Sequence, residues 1–291
     1  MKQRSADARV IPYPKYWRFA AAANRSVRHK PMIHGLSAVD VTTARGIVRE
    51  HREKTGETLS FTAFLVTCLA KAVDEQKAVQ AMRQGGRRLV LFEDVDINTR
   101  IEREVAGQKY VIPYIIRAAN RKTFREIHDE IRAAQTADAQ TLMKRFRVFS
   151  LLPTILYSAF VWVFTGVGRL RPRLWKEAMG TVGLTSVGMF GTGAGWGIPA
   201  SSPTALMLTV GGIGARQAMV DGRPTGREYL SLTISVDHNL VDGAPAARFA
   251  QRLKELIESG YGLNDLAHTP VEALDRGRAH EEMEAVRPAR P

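Results

Sequence analysis

With 291 residues, 45% of them hydrophobic and 24% charged, the chain is long and apolar enough for one substantial core, so a globular protein is expected. A single cysteine, Cys68, excludes an intrachain disulfide and suits a reducing, cytoplasmic compartment. The formal charge of +13 favours anionic partners in general, yet no nucleic-acid motif is present and the seven histidines lack ligand spacing, so neither nucleic acid nor metal is expected.

Residues 1–30 form an N-terminal arm that mixes basic and aromatic groups, among them Tyr13, Tyr16, Trp17, Arg18 and Phe19. Lys2, Arg4 and Arg9 precede no sustained apolar stretch, so no secretory signal is expected. A main domain spans 31–270, and a charged tail, 271–291, follows it. Within the domain, Ile33–Val41 reads as a strand, Thr42–Lys54 as a helix capped by Thr42 or Thr43 with Gly56 after it, and Ser60–Glu75 as a helix started by Ser60. Cys68 falls on the apolar face Phe61, Phe64, Leu65, Leu69, Ala72 of that helix, where a thiol behaves as a small buried hydrophobe. Leu89–Ile101 and Tyr110–Ile116 read as strands. Thr123–Ala134 reads as a helix with Phe124, Ile127 and Ile131 on one side and Thr123 and Glu126 as a reciprocal capping box.

An apolar insertion, about 144–175, comes next. Between the clusters Lys144-Arg-Phe-Arg147 and Arg169-Leu-Arg-Pro-Arg173 lie twenty-one residues, 148–168, without a charge. Length alone makes them a membrane-spanning candidate. One crossing, however, would put the strands before it and after it on opposite sides of a bilayer, and a single sheet could not form. The expectation is an exposed apolar element covered by a membrane surface, a partner protein or another subunit.

The run Gly180–Gly197 holds seven glycines but lacks the Gly-Lys-Ser/Thr of a phosphate loop. Gly212-Ile-Gly214 leads through Val220-Asp-Gly-Arg-Pro224 into another strand, which makes a hairpin and not a dinucleotide fingerprint. Val182–Val187 reads as a strand bearing the hydroxyls of Thr185 and Ser186, which face opposite ways. Residues 231–249 read as strand, tight turn and helix start: Leu232, Ile234 and Val236 alternate with Thr233 and Ser235 before Asp242-Gly243 breaks the pattern. His238 and Asp242 are thereby fixed at a sheet mouth, an imidazole suited to take a proton near neutral pH beside a carboxylate that also suits an N-cap.

The series Val39-Asp-Val-Thr42, Leu59-Ser-Phe-Thr-Ala-Phe-Leu-Val66, Leu91-Phe-Glu-Asp-Val-Asp-Ile97, Val111–Asn120, Ser186-Val-Gly-Met-Phe-Gly191 and Asp237-His-Asn-Leu-Val-Asp-Gly243 resembles, in order, the dihydrolipoamide acyltransferase catalytic domains of 2-oxo-acid dehydrogenase complexes. The resemblance implies an α/β fold, a mixed sheet flanked by helices like that of chloramphenicol acetyltransferase, assembled at least as a homotrimer with the arm packed on a neighbouring subunit. It implies acyl transfer between coenzyme A and a thiol such as a lipoyl group on another polypeptide, with His238 as general base, Thr185 from the neighbouring subunit as oxyanion stabiliser, and Asp242 orienting the turn. Ser186, Gly188, Asn239 and Gly243 are the implied substrate-side positions, with no metal. The chain departs from the pattern at Arg100, Glu102, Arg103 and Glu104, at Asn239 where the family often has Arg, and in having no lipoyl domain before residue 32. A non-catalytic assembly or membrane-associated scaffold of the same fold is the alternative reading.

Overall fold

The computed structural model describes residues 13, 21–22, 24–27, 30–105, 108–136, 153–188 and 191–263. Most of the arm, the Lys144–Arg147 cluster and the 271–291 tail lie outside them.

The domain is built on one six-stranded mixed sheet. Its strands are β1 (Met32–Asp40), β4 (Ile97–Val105), β5 (Gln108–Ile116), β6 (Val182–Ser186), β7 (Leu206–Val220) and β8 (Arg223–Asp237), in the order β1-β8-β7-β6-β4-β5. Strands β2 (Met82–Gln84) and β3 (Arg88–Val90) pair separately. The β7–β8 hairpin turns at Asp221-Gly222, both at positive φ, as its sequence demands. Strand β6 pairs parallel with both β7 and β4, so the connection from β6 to β7 crosses over.

Four helices supply the layer on one face: α1 (Thr42–Thr55), α2 (Phe61–Glu75), α3 (Phe124–Thr136) and α6 (Gly243–Glu258). Their Phe64, Leu69, Ile127, Phe249 and Leu253 are fully or almost fully buried against Leu208, Leu230, Leu232 and Val236 of the sheet. Helix α2 starts as expected, with Ser60 Oγ accepting from Ala63 N at 3.2 Å. Helix α3 has its capping box: Thr123 N donates to Glu126 Oε2 at 2.7 Å, and Glu126 N to Thr123 Oγ1 at 3.3 Å.

Two expectations are corrected. Neither Thr42 nor Thr43 caps α1; Val41 holds the cap position, and Asp40 Oδ1 accepts from Thr42 N at 2.9 Å because the Thr42 hydroxyl is taken by Glu228 N. Nor is Leu89–Ile101 one strand, since β3 ends at Val90 and β4 begins at Ile97. Between them the backbone bonds side chains instead of a neighbouring strand: Phe92 O accepts from Gln80 Nε2, Val95 N donates to Asn120 Oδ1 and Asp96 N to Thr181 Oγ1.

The described residues of the glycine-rich segment after β6 pack on β7 around Thr209–Gly214. A Cβ on Gly188 would lie 1.9 Å from Gly211 O, and one on Gly211 would lie 2.0 Å from Gly195 O. These glycines therefore allow backbone to lie on backbone at the β7 bulge between Val210 and Ile213.

The described part of the apolar insertion is a helix, α4 (Thr154–Leu170), followed by α5 (Pro172–Met179). Helix α5 anchors the pair: Arg117 donates to the carbonyls of Lys176 and Glu177, Asn98 Nδ2 to Met179 O at 3.0 Å, and Trp175 Nε1 to Pro203 O at 3.2 Å. Phe164 of α4 packs on Trp175, with ring centroids 5.4 Å apart. Among the described residues no helix is long and apolar enough to cross a membrane.

Candidate active site

Strand β8 is buried along its last eight residues, Leu230–Asp237, and held on both sides by β1 and β7. It stops because its final backbone groups are diverted into a turn. Leu240 N and Val241 N both donate to Asp237 O, at 2.9 and 3.0 Å, and the buried Asp237 carboxylate accepts from Asn239 N at 3.0 Å. His238 N donates to Pro31 O at 2.8 Å, tying the turn to the entrance of β1. The imidazole therefore stands at the end of a rigid strand with 48% of its side chain exposed, and its Nε2 lies 3.5 Å from Asp242 Oδ1. Asp242 is the N-cap of α6 and accepts from Gly243 N at 2.7 Å. The carboxylate thus holds the helix start and faces the imidazole at the outer limit of hydrogen bonding.

An imidazole so placed is reachable from solvent and positioned to exchange a proton with a bound group. Cys68 offers no competing nucleophile: it is fully buried, and burial pushes its thiol far above the ordinary range.

Thr185 is not beside His238. Through the sheet register it pairs with Thr209 and then Thr233. Thr233 precedes His238 by five residues, which at about 3.4 Å each puts some 17 Å of strand between the two positions, with β7 also intervening. Thr185 shares the helix-free face with Thr209 and Thr233, whereas Ser186, in register with Val210 and Leu232, points to the helix side. Near the Thr185 end lie the exposed apolar side chains Val187 and Ile198, with Gly197 packed between Val187 and Thr209, whereas the Trp196 indole reaches the far edge and donates to Ser37 O of β1 at 3.3 Å. Gly188 is packed on Gly211; Asn239 and Gly243 are exposed at the turn.

A cavity of about 390 Å³ opens beside the turn, lined by Asp237, Asn239 and Leu240 together with Lys30, Arg83 and Trp175. Lys30 Nζ donates to Pro203 O and Thr204 O at 3.0 and 3.2 Å, so the end of the arm closes one wall. Lys30, Arg83 and Trp175 come from separate stretches of sequence, and no motif announces them. Among the described residues no His, Cys, Asp or Glu cluster could hold a metal.

The mixed sheet with helices on one face is the fold of dihydrolipoamide acyltransferase catalytic cores. A probable dihydrolipoamide acetyltransferase from Listeria monocytogenes superposes with a TM-score of 0.60 at 22% identity, covering 88% of this chain and 96% of that one. The cubic core of a pyruvate dehydrogenase multienzyme complex gives 0.62 at 19% identity, covering 89% and 96%. The chain belongs to the family of 2-oxoacid dehydrogenases acyltransferase (catalytic domain), whose model matches residues 16–145 and 168–263. The interruption, 146–167, coincides with the apolar insertion.

Among curated relatives, the lipoamide acyltransferase component of the branched-chain alpha-keto acid dehydrogenase complex of Bacillus subtilis is 28% identical over 249 residues, 83% of this chain. The dihydrolipoyllysine-residue acetyltransferase component of the Zymomonas mobilis pyruvate dehydrogenase complex is 32% identical over 33% of this chain and 21% of its own length. The chain spans about half the length of the Bacillus relative, 50%, and less of the Zymomonas protein.

Proposed function

We propose that this protein moves an acyl group between coenzyme A and a thiol acceptor of the dihydrolipoyl type, the lipoyl group being carried by another polypeptide. The observation that carries the proposal is the half-exposed His238 at the end of a buried strand, in a chain of this family. A thiol with a pKa near 8.5 is only a few per cent thiolate at neutral pH, so attack on a thioester gains from a base. His238 takes the acceptor's proton as its sulfur bonds to the carbonyl carbon. The tetrahedral intermediate then collapses with cleavage of the bond to the coenzyme A sulfur, which receives that proton and leaves as the thiol. In the Azotobacter vinelandii dihydrolipoamide acetyltransferase, a serine, a histidine and an asparagine have been investigated for roles in catalysis; its histidine and asparagine are four positions apart, as His238 and Asp242 are here.

We further propose that the working site lies between copies of the chain, assembled at least as a trimer, with Thr185 of one copy donating to the oxyanion formed beside His238 of another. The strand length between the two residues in one chain, and the exposed apolar side chains around Thr185, support this arrangement. The test is transfer of acetyl from acetyl-coenzyme A to free dihydrolipoamide, followed as acetyl-dihydrolipoamide by chromatography. Turnover that disappears in His238→Ala at unchanged assembly mass supports the reading. Lack of any transfer by the wild-type assembly refutes dihydrolipoamide as acceptor.

A further inference from the structure

The exposed side chains of α4 form one unbroken apolar face. Ile155, Leu156, Phe160, Trp162, Val163 and Val167 are all exposed, Ile155 at 82% and Trp162 at 75%; at 3.6 residues per turn they occupy one side of the helix, with Ala159, Gly166 and Leu170 between them. The other side, with Phe164, Thr165 and Gly168, packs on Trp175 or lines the cavity beside Asn239. No Asp or Glu occurs from Thr154 to Leu170. A soluble surface rarely leaves so continuous an apolar patch uncovered.

We propose that this face lies on an anionic lipid surface, with α4 parallel to the membrane plane. Four observations select that occupant. The helix has 17 residues, about 25 Å of length, too short to cross a hydrocarbon core of about 30 Å. The exposed Arg171 and Arg173 follow its C-terminal end, and in the sequence Lys144, Arg145 and Arg147 precede it. An aromatic-aliphatic face with cations at its margins matches the layering of acyl chains below anionic headgroups. A second copy of this chain, itself carrying +13, would set like charges against each other at the same margins. Finally, the family model is interrupted over 146–167, so the face is an addition to the shared catalytic fold and no part of its common framework.

Because α4 also walls the cavity beside the His238 turn, docking would hold that cavity close to the lipid surface. The test uses the full chain and extruded vesicles, either phosphatidylcholine alone or phosphatidylcholine with phosphatidylglycerol. The wild type is expected to float with the anionic vesicles and to bind the neutral ones at least tenfold more weakly. The double variant Ile155→Asp/Trp162→Asp is expected to lose anionic-vesicle binding at least tenfold while keeping its thermal midpoint and assembly mass. Arg171→Glu/Arg173→Glu is expected to weaken binding in the same direction. Failure of the wild type to bind anionic vesicles overturns the proposal. So does undiminished binding by the Asp variant, which would assign binding to the general positive charge. A fall in assembly mass in that variant also overturns it, since the face would then be a contact between copies.

Discussion

The Leu230–Val236 part of strand β8 and helix α4 both lack Asp, Glu and Lys, yet the first is buried throughout and the second carries the most exposed large apolar side chain among the described residues, Ile155. From Leu230 to Asp237 every residue of β8 is buried, whereas Ile155, Trp162 and Leu170 of α4 are 82%, 75% and 64% exposed. The difference lies in what each backbone can recruit. An alternating strand pairs on both edges and buries both faces, while an all-apolar helix satisfies its own hydrogen bonds and needs no sheet. Hydrophobicity alone therefore does not say which stretch is core.

The largest expected effect tests the enclosed side of this comparison. Phe249 of α6 is completely buried beneath the sheet, and Phe249→Ala should cost about 3–5 kcal/mol of stability in urea unfolding. A loss no greater than that of a surface residue would mean that the helix layer is not packed as described.

Next comes the site that β8 presents. His238→Ala should slow acyl transfer about a hundredfold or more, equivalent to roughly 2.7 kcal/mol of barrier, without changing assembly mass. Thr185→Ala should approach the same scale. Mixing the two inactive chains should restore part of the activity if the residues meet between copies. Mixed assemblies verified by mass but showing no rescue would place the two groups in separate roles.

The acid limb of stability should also belong to the catalytic body. Burial raises the Glu57 carboxyl, but hydrogen bonds from Arg125 and His51, with the charges of Arg125 and His128, more than offset it and hold the group at about 2. Its folded pKa is thus below the ordinary 4.5, so its contribution is complete above about 4.5 and is lost as pH falls towards 2. His128, lowered from 6.5 chiefly by burial and then by Arg125, acts in the same direction from higher pH, because folding favours its neutral form. Urea midpoints should fall as pH drops from 7 to 3, and Glu57→Gln should flatten the lower part of that fall. An unchanged acid limb in the variant would remove Glu57 from this role.

Much of the site was legible because its chemistry is local. The four-residue spacing of His238 and Asp242, the strand alternation before them and the helix after them all occur in one continuous stretch. The Ser60 cap and the Thr123/Glu126 box were readable for the same reason. What was not legible depends on residues far away in sequence. Thr42 is diverted from capping by Glu228, and the segment between β3 and β4 is bonded by Gln80, Asn120 and Thr181. The cavity walls are likewise assembled from the arm, β2 and α5.

The smallest expected effect lies on α4 and is the sharpest control for the comparison. Ile155 is 82% exposed, so its truncation removes little surface that folding had withdrawn from water. Ile155→Ala should change stability by no more than about 0.5 kcal/mol, against the several expected for Phe249→Ala, and alanine's higher helix propensity acts against any loss. The same truncation in the presence of anionic vesicles should weaken binding, because there the side chain has something to be buried in. A loss of stability above about 2 kcal/mol in the absence of lipid would mean that the side chain is covered within the protein itself. The contrast between β8 and α4 would then be one of packing partners inside the assembly, not of core against exposed face.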